Sequence, residues 1–171
     1  MKDGQLGAAI ELVALSVWLG AAILVATVVA PAAFAVLPSR TVAGALVGRI
    51  LPIIFIAGIA TAIIAAACEM TVSRSGLSIR LMAPLIAIAA GCAIAQFVIA
   101  PRIERIRVAV GGPIEALDSN DPRRLMFGRL HAFSVLCLGI AMLGAVAVIA
   151  GQLYAARKSD RAVRSSTAIT A

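Results

Sequence analysis

Residues 50–68 read Ile50-Leu51-Pro52-Ile53-Ile54-Phe55-Ile56-Ala57-Gly58-Ile59-Ala60-Thr61-Ala62-Ile63-Ile64-Ala65-Ala66-Ala67-Cys68, without one charged side chain. Apolar residues cover every face of a helix drawn through this run. Crossing the hydrocarbon of a bilayer takes roughly 20 residues of helix. Three further stretches lack Asp, Glu, Lys and Arg: Leu12 to Ser39, Leu81 to Pro101 and Leu130 to Ala156. Each is long enough for one crossing and too short for two. Backbone in lipid must satisfy its own hydrogen bonds, so the runs are helices. The alternating pattern of a membrane barrel is absent. The fold class is therefore an all-α membrane protein, a bundle of four transmembrane helices with both chain ends on one side, here side A.

Composition agrees. The chain has 171 residues, 62% apolar and 13% charged, with a mean hydropathy of +1.06. A soluble domain is about half apolar and about a quarter charged. So small a chain cannot hide this much apolar surface in a core of its own. A free soluble enzyme and a nucleic-acid reader are excluded. The net charge of +7 sits in the gaps between apolar runs, where Lys and Arg anchor helices to headgroups. Cys68, Cys92 and Cys137 show no Cys-x-x-Cys spacing and read as small apolar residues.

The expected layout is one domain, 1–156, with helices at about 10–36, 48–70, 80–107 and 122–156, followed by a basic disordered tail, 157–171. The first apolar run exceeds a signal-peptide core of about 7–15 residues. Pro31 would also follow its apparent cleavage site, so it reads as a retained helix. Pro31 and Pro38 end or kink helix 1, and Pro101 does so for helix 3. Asp121-Pro122 is a helix start: a capping carboxylate, then a residue with no amide hydrogen to satisfy. Between helices 3 and 4 lies an amphipathic loop. Ile103, Ile106 and Val110 at helical spacing extend helix 3 until Gly111-Gly112-Pro113 breaks it. Side A carries seven Lys and Arg, including Lys2, Arg74, Arg80 and Arg164, and the opposite side B carries eight. That balance assigns no orientation under the positive-inside rule.

Small residues four apart allow close helix approach, the main attraction between helices in lipid. They are Ala22, Ala26 and Ala30; Gly58, Ala62 and Ala66; Ala83, Ala87, Gly91 and Ala95; and Ala147 with Gly151. A short internal repeat is visible too. Val28-Val29-Ala30-Pro31 parallels Val98-Ile99-Ala100-Pro101, and Gly48-Arg49-Ile50 parallels Gly128-Arg129-Leu130.

Polar residues in lipid are costly and mark candidate sites. Glu11 and Glu69 lie at helix ends and read as solvated. Ser16, Thr27 and Thr61 can bond their own helix backbone. Near side B, Gln96 sits one and a half turns before Pro101, and Arg124, Phe127, His131 and Ser134 share one helix face at 3-4-3 spacing. The candidate polar pocket is Gln96, His131 and Ser134, rimmed by Arg49, Arg102 and Arg129. The first expectation is a buried hydrogen-bond cluster that sets helix register. The second is a site for a headgroup or small ligand, with arginines on its phosphate or carboxylate. One histidine does not make a bis-histidine haem, and no set of three metal ligands is apparent. No catalytic residue, metal or cofactor is expected, and no buried carboxylate for a proton relay is apparent.

One family matches these features in order. The residues are Trp18-Leu19-Gly20; Ala30-Pro31-Ala32-Ala33-Phe34-Ala35-Val36-Leu37-Pro38-Ser39-Arg40; Ala43-Gly44 and Val47-Gly48-Arg49; Gln96-Phe97-Val98-Ile99-Ala100-Pro101-Arg102-Ile103; and Asp121-Pro122 with Phe127-Gly128-Arg129-Leu130-His131-Ala132-Phe133-Ser134. Over roughly Leu12 to Gln152 the chain resembles the transmembrane protein 205-like family, in its bacterial branch of four-helix proteins of unknown function. That family carries an Asn one turn after the Ser, where this chain has Leu138. The resemblance implies a multi-pass protein of the bacterial inner membrane and brings no reaction with it.

The expected function is a non-enzymatic membrane module. Its partners are the lipid bilayer, anionic lipid headgroups and copies of itself, with no nucleic acid. The alternative is a small transporter or a lipid- or ligand-binding protein acting as an oligomer. A redox enzyme ranks last: Trp18-Leu19-Gly20 is similar to the copper-resistance D and membrane protoporphyrinogen oxidase groups, but those need several intramembrane histidines.

Overall fold

A computed structural model describes residues 2–72 and 79–169, with side chains for 6–70, 82–158 and Arg161. Arg74 lies outside the described residues, as do the side chains of Lys2, Arg80 and Arg164 that entered the side A count. All regular structure among the described residues is helical, and four helices are long and apolar enough to span a bilayer. They are helix 1 (Leu6–Val36), helix 2 (Arg40–Met70), helix 3 (Met82–Val110) and helix 4 (Pro122–Lys158). Sequential helices are neighbours and helix 4 returns to helix 1, so the four form a closed up-and-down bundle.

Boundaries differ from expectation where local chemistry overrides hydropathy. Helix 2 begins at Arg40 rather than near 48. Ser39 caps it, its Oγ accepting from the Val42 amide at 3.2 Å. Helix 3 runs to Val110, where Gly111 takes a left-handed φ of 64° and its amide donates to the Arg107 carbonyl at 3.1 Å. Only glycine adopts that conformation without strain. Helix 4 starts as expected: Asp121 Oδ1 accepts from the Arg123 amide at 2.8 Å. The expected disordered tail is corrected, because helix 4 continues to Ile169. Residues 152–169 contain no Pro or Gly to stop it, and Ala, Arg and Lys favour helix.

Both proline-ended helices loosen before the proline in the same way. Val25–Val29 and Ile94–Ile99 form π-turns, closed by Ala30 N–H to Val25 O and by Ala100 N–H to Ala95 O. Pro31 and Pro101 follow at once. A proline has no N–H to give and crowds the carbonyl four residues back, and the wider turn relieves that crowding. The parallel between Val28–Pro31 and Val98–Pro101 is thus also a parallel in backbone geometry.

The core is built from small residues, though not from every one of the expected stripes. Helix 1 buries Glu11, Leu15, Trp18, Ala22 and Val25, a 4-3-4-3 spacing, whereas Ala26 is exposed. Helix 4 buries Ala141, Ala145 and Val148, and Ala147 is exposed. Gly58, Ala62, Gly91 and Ala95 are buried as expected. The register of helices 3 and 4 rests on two reciprocal glycines. A Cβ on Gly91 would lie 2.8 Å from the Cys137 carbonyl oxygen, and one on Gly144 would lie 2.8 Å from that of Pro84. Two heptads, 84 to 91 and 137 to 144, therefore run antiparallel at backbone contact. Between helices 1 and 2 the Trp18 indole N–H donates to the Ile54 carbonyl at 2.9 Å, beside Gly58.

Candidate functional site

The side B end of the bundle does not close. A cavity of about 970 Å³ lies between helices 2, 3 and 4, with Phe34 of helix 1 and residues 112–115 at its edge. That is within the range of about 300–1,000 Å³ for small-molecule sites. The space arises because the facing residues are small. Gly44, Ala45 and Gly48 line it from helix 2, Ala100 from helix 3 and Gly128 from helix 4. Pro52 on the same face has no N–H, so the Gly48 carbonyl loses its helical donor there.

Gln96, His131 and Ser134 all line this cavity, so the structure brings the three central predicted residues together. Ser134 is buried. His131 is exposed to the opening and stacks on Phe127, rings 6.5 Å apart and 4° from parallel. Gln96 sits in the second π-turn, and its Oε1 is buried without a hydrogen-bond partner among the described residues. A sealed hydrogen-bond cluster would leave no such atom, because an unpaired buried acceptor costs about 1–3 kcal/mol.

The predicted rim is corrected. Arg49, Arg102 and Arg129 are exposed and do not line the cavity; Arg40, Arg107 and Arg124 do. Helix phase explains the exchange. Arg129 is two residues from His131, about 200° around the helix, whereas Arg124 is seven away, close to two full turns. Arg107 is eleven residues after Gln96, about three turns, whereas Arg102 is six. The 3-4-3 face already contained Arg124; Arg107 could have been found by the same count.

Arg107 is the most constrained of the three. Its Cζ stands 5.6 Å above the Phe127 ring centroid, Nη2 donates to the Gly44 carbonyl at 3.3 Å, and Nη1 lies 3.9 Å from Glu104. Gly44 and Gly48 make room for it: a Cβ on Gly48 would be 3.1 Å from Nη1. Arg124 donates to the Leu117 carbonyl at 2.8 Å, and the Thr41 hydroxyl donates to Glu115 at 3.0 Å. The Glu115 backbone amide and the Thr41 hydroxyl hold that carboxyl below its ordinary range. Three guanidiniums against the carboxylates of Glu104 and Glu115 leave one positive charge in excess. Among the described residues, no group of three His, Cys, Asp or Glu is placed to hold a metal ion.

A second polar site contradicts the sequence reading. Glu11 is 1% exposed and packs inside the side A end of the bundle. It is not solvated, because it lies on the buried stripe with Leu15, Trp18, Ala22 and Val25, on a helix that starts more than two turns earlier, at Lys2. Glu69 and Gln152 interact with it from helices 2 and 4. A buried carboxylate position therefore does exist.

Residues 13–110 match the family described as a domain of unknown function, DUF4149. The chain belongs to this family. The DUF4149 match spans helices 1 to 3, so it includes Gly44, Gly48, Gln96 and Arg107. Phe127, His131 and Ser134 of helix 4 lie beyond it. No curated protein and no solved structure matches the chain.

Proposed function

We propose that this DUF4149 protein is a non-enzymatic, multi-pass protein of the bacterial inner membrane whose side B cavity binds an anionic amphiphile. The observation that carries the reading is the unpaired Gln96 Oε1 in a large cavity shared with three arginines. Arg40, Arg107 and Arg124 take a phosphate or carboxylate, the groups guanidinium recognises best. Gln96 accepts from a ligand hydroxyl. Phe34, Leu51 and Phe55 receive the apolar part. One excess positive charge suits a headgroup with a single negative charge. The likeness of the Phe127-x-x-x-His131-x-x-Ser134 stretch and the two proline-ended helices to transmembrane protein 205-like proteins supports a finer family placement and the membrane assigned here.

The test is native mass spectrometry of the full chain released from nanodiscs of mixed phosphatidylglycerol and phosphatidylcholine. Retention of phosphatidylglycerol by the wild type, and its loss in Arg107→Gln and Gln96→Leu at unchanged thermal stability, is the expected result. Equal retention of the two lipids, or retention unchanged by both substitutions, overturns the reading. The same spectra report the number of copies in the assembly.

A further inference from the structure

At the opposite end of the bundle, we infer that Glu11 and Glu69 form a proton-binding site, one proton being held between the two carboxyls. Glu11 lies on the buried stripe of helix 1, one turn before Leu15. The Glu69 carboxyl approaches it from the end of helix 2, near enough for a side-chain hydrogen bond, and the Gln152 amide approaches from helix 4. Two neighbouring carboxylates, one of them fully buried, repel strongly, and sharing one proton turns that repulsion into a hydrogen bond.

Among the described residues, the charges around the pair favour a proton as the neutralising partner. From helix 2 the facing group is Glu69, and from helix 4 it is Gln152, which is uncharged. Helix 3 begins at Ile79, and its described side chains at this end, Met82 to Leu85, carry no charge; the side chain of Arg80 on the same helix lies outside the described residues. Arg157 and Lys158 are exposed, more than a turn beyond Gln152. Among the described residues no cation acts on Glu11. Glu11 Oε1 and Gln152 Nε2 are both buried without a hydrogen-bond partner. One is an acceptor and the other a donor, so the Gln152 amide can give its N–H to the carboxyl oxygen that the shared proton leaves free.

The site is independent of the cavity, and its occupant reads out spectroscopically. Infrared spectra of the full chain in nanodiscs, titrated with acid and base in light and heavy water, report the C=O stretch of a protonated carboxyl. We expect one such band in the wild type at neutral pH, where solvated carboxyls are ionised. Glu11→Gln abolishes it. In Glu69→Gln the remaining carboxyl has lost its like-charged neighbour, so its band disappears at lower pH than in the wild type. Gln96→Leu, at the other end of the bundle, leaves the band unchanged. Absence of the band from the wild type, or its persistence in folded Glu11→Gln, overturns the inference. So does loss of the band on adding sodium chloride at fixed pH, which would identify a metal cation as the occupant.

Discussion

The Arg107 guanidinium lies 5.6 Å above the ring of Phe127, which in turn stacks on His131. Helix 3 thereby presents its charge across the mouth of the cavity to helix 4. Three contacts define its direction: the Phe127 face, the Gly44 carbonyl and Glu104. A planar cation suits this position, since it can stack and donate at once.

That geometry makes Arg107→Lys a partial loss. The ammonium keeps the charge but cannot lie flat on the ring while reaching Gly44. Phosphatidylglycerol retention in native mass spectra is expected to fall between wild type and Arg107→Gln. Retention of Arg107→Lys equal to wild type would show that charge alone suffices.

Close helix contacts predict a contrast among glycines. In Gly58→Ala the new Cβ would stand 2.6 Å from Cys92 Sγ and 2.8 Å from Trp18 Nε1. Gly144→Ala meets the Pro84 carbonyl, which is backbone and cannot swing aside. Each is expected to cost about 1–3 kcal/mol by overpacking. Gly139 has nothing within 4 Å of its Cβ position, so Gly139→Ala is expected to be neutral or mildly stabilising. Thermal unfolding in detergent compares the three.

Trp18→Phe removes the bond to the Ile54 carbonyl while keeping most of the ring volume. Interhelical hydrogen bonds in membranes contribute about 0.6 kcal/mol on average. A loss of that order in unfolding experiments is expected, smaller than that of Gly58→Ala beside it.

The start of helix 4 is acid-sensitive. Side-chain and backbone hydrogen bonds with Arg123 lower the Asp121 carboxyl from 3.8 to about 2. Its folded value lies below its unfolded one, so the ionised cap stabilises. That contribution is complete above 3.8 and is lost as pH falls through about 2. Hydrogen exchange at the Arg123 amide should accelerate across that window beyond the intrinsic rate. Asp121→Asn, which keeps an acceptor but does not titrate, should remove the extra acceleration.

An even number of crossings puts both chain ends on one face. Reporter tags at Gly4 and Ser166 are expected on the same side of the membrane. Tags on opposite sides would change the helix count and separate Gln96 from His131.

The four crossings, the glycine break at Gly111 and the Asp121 cap were legible in the chain itself. Gln96, His131 and Ser134 were also legible as one group, because a hairpin of two helices fixes their relative depth. The arginine rim was misread because depth alone was used. Arg49, Arg102 and Arg129 lie at the right level but on the wrong faces. Glu11 was misread for a related reason: nearness to the end of an apolar run was taken as exposure, while its place on the 11-15-18-22-25 stripe puts it inside.

Residence in a bilayer followed from residue types alone, because the free energy of moving an apolar run from water into lipid depends little on its neighbours. The cavity and the burial of Glu11 did not, because both are set by the rotation of each helix about its axis. That rotation is decided by pairwise contacts such as Gly91 on Cys137 and Gly144 on Pro84, which exist only once separate helices have packed.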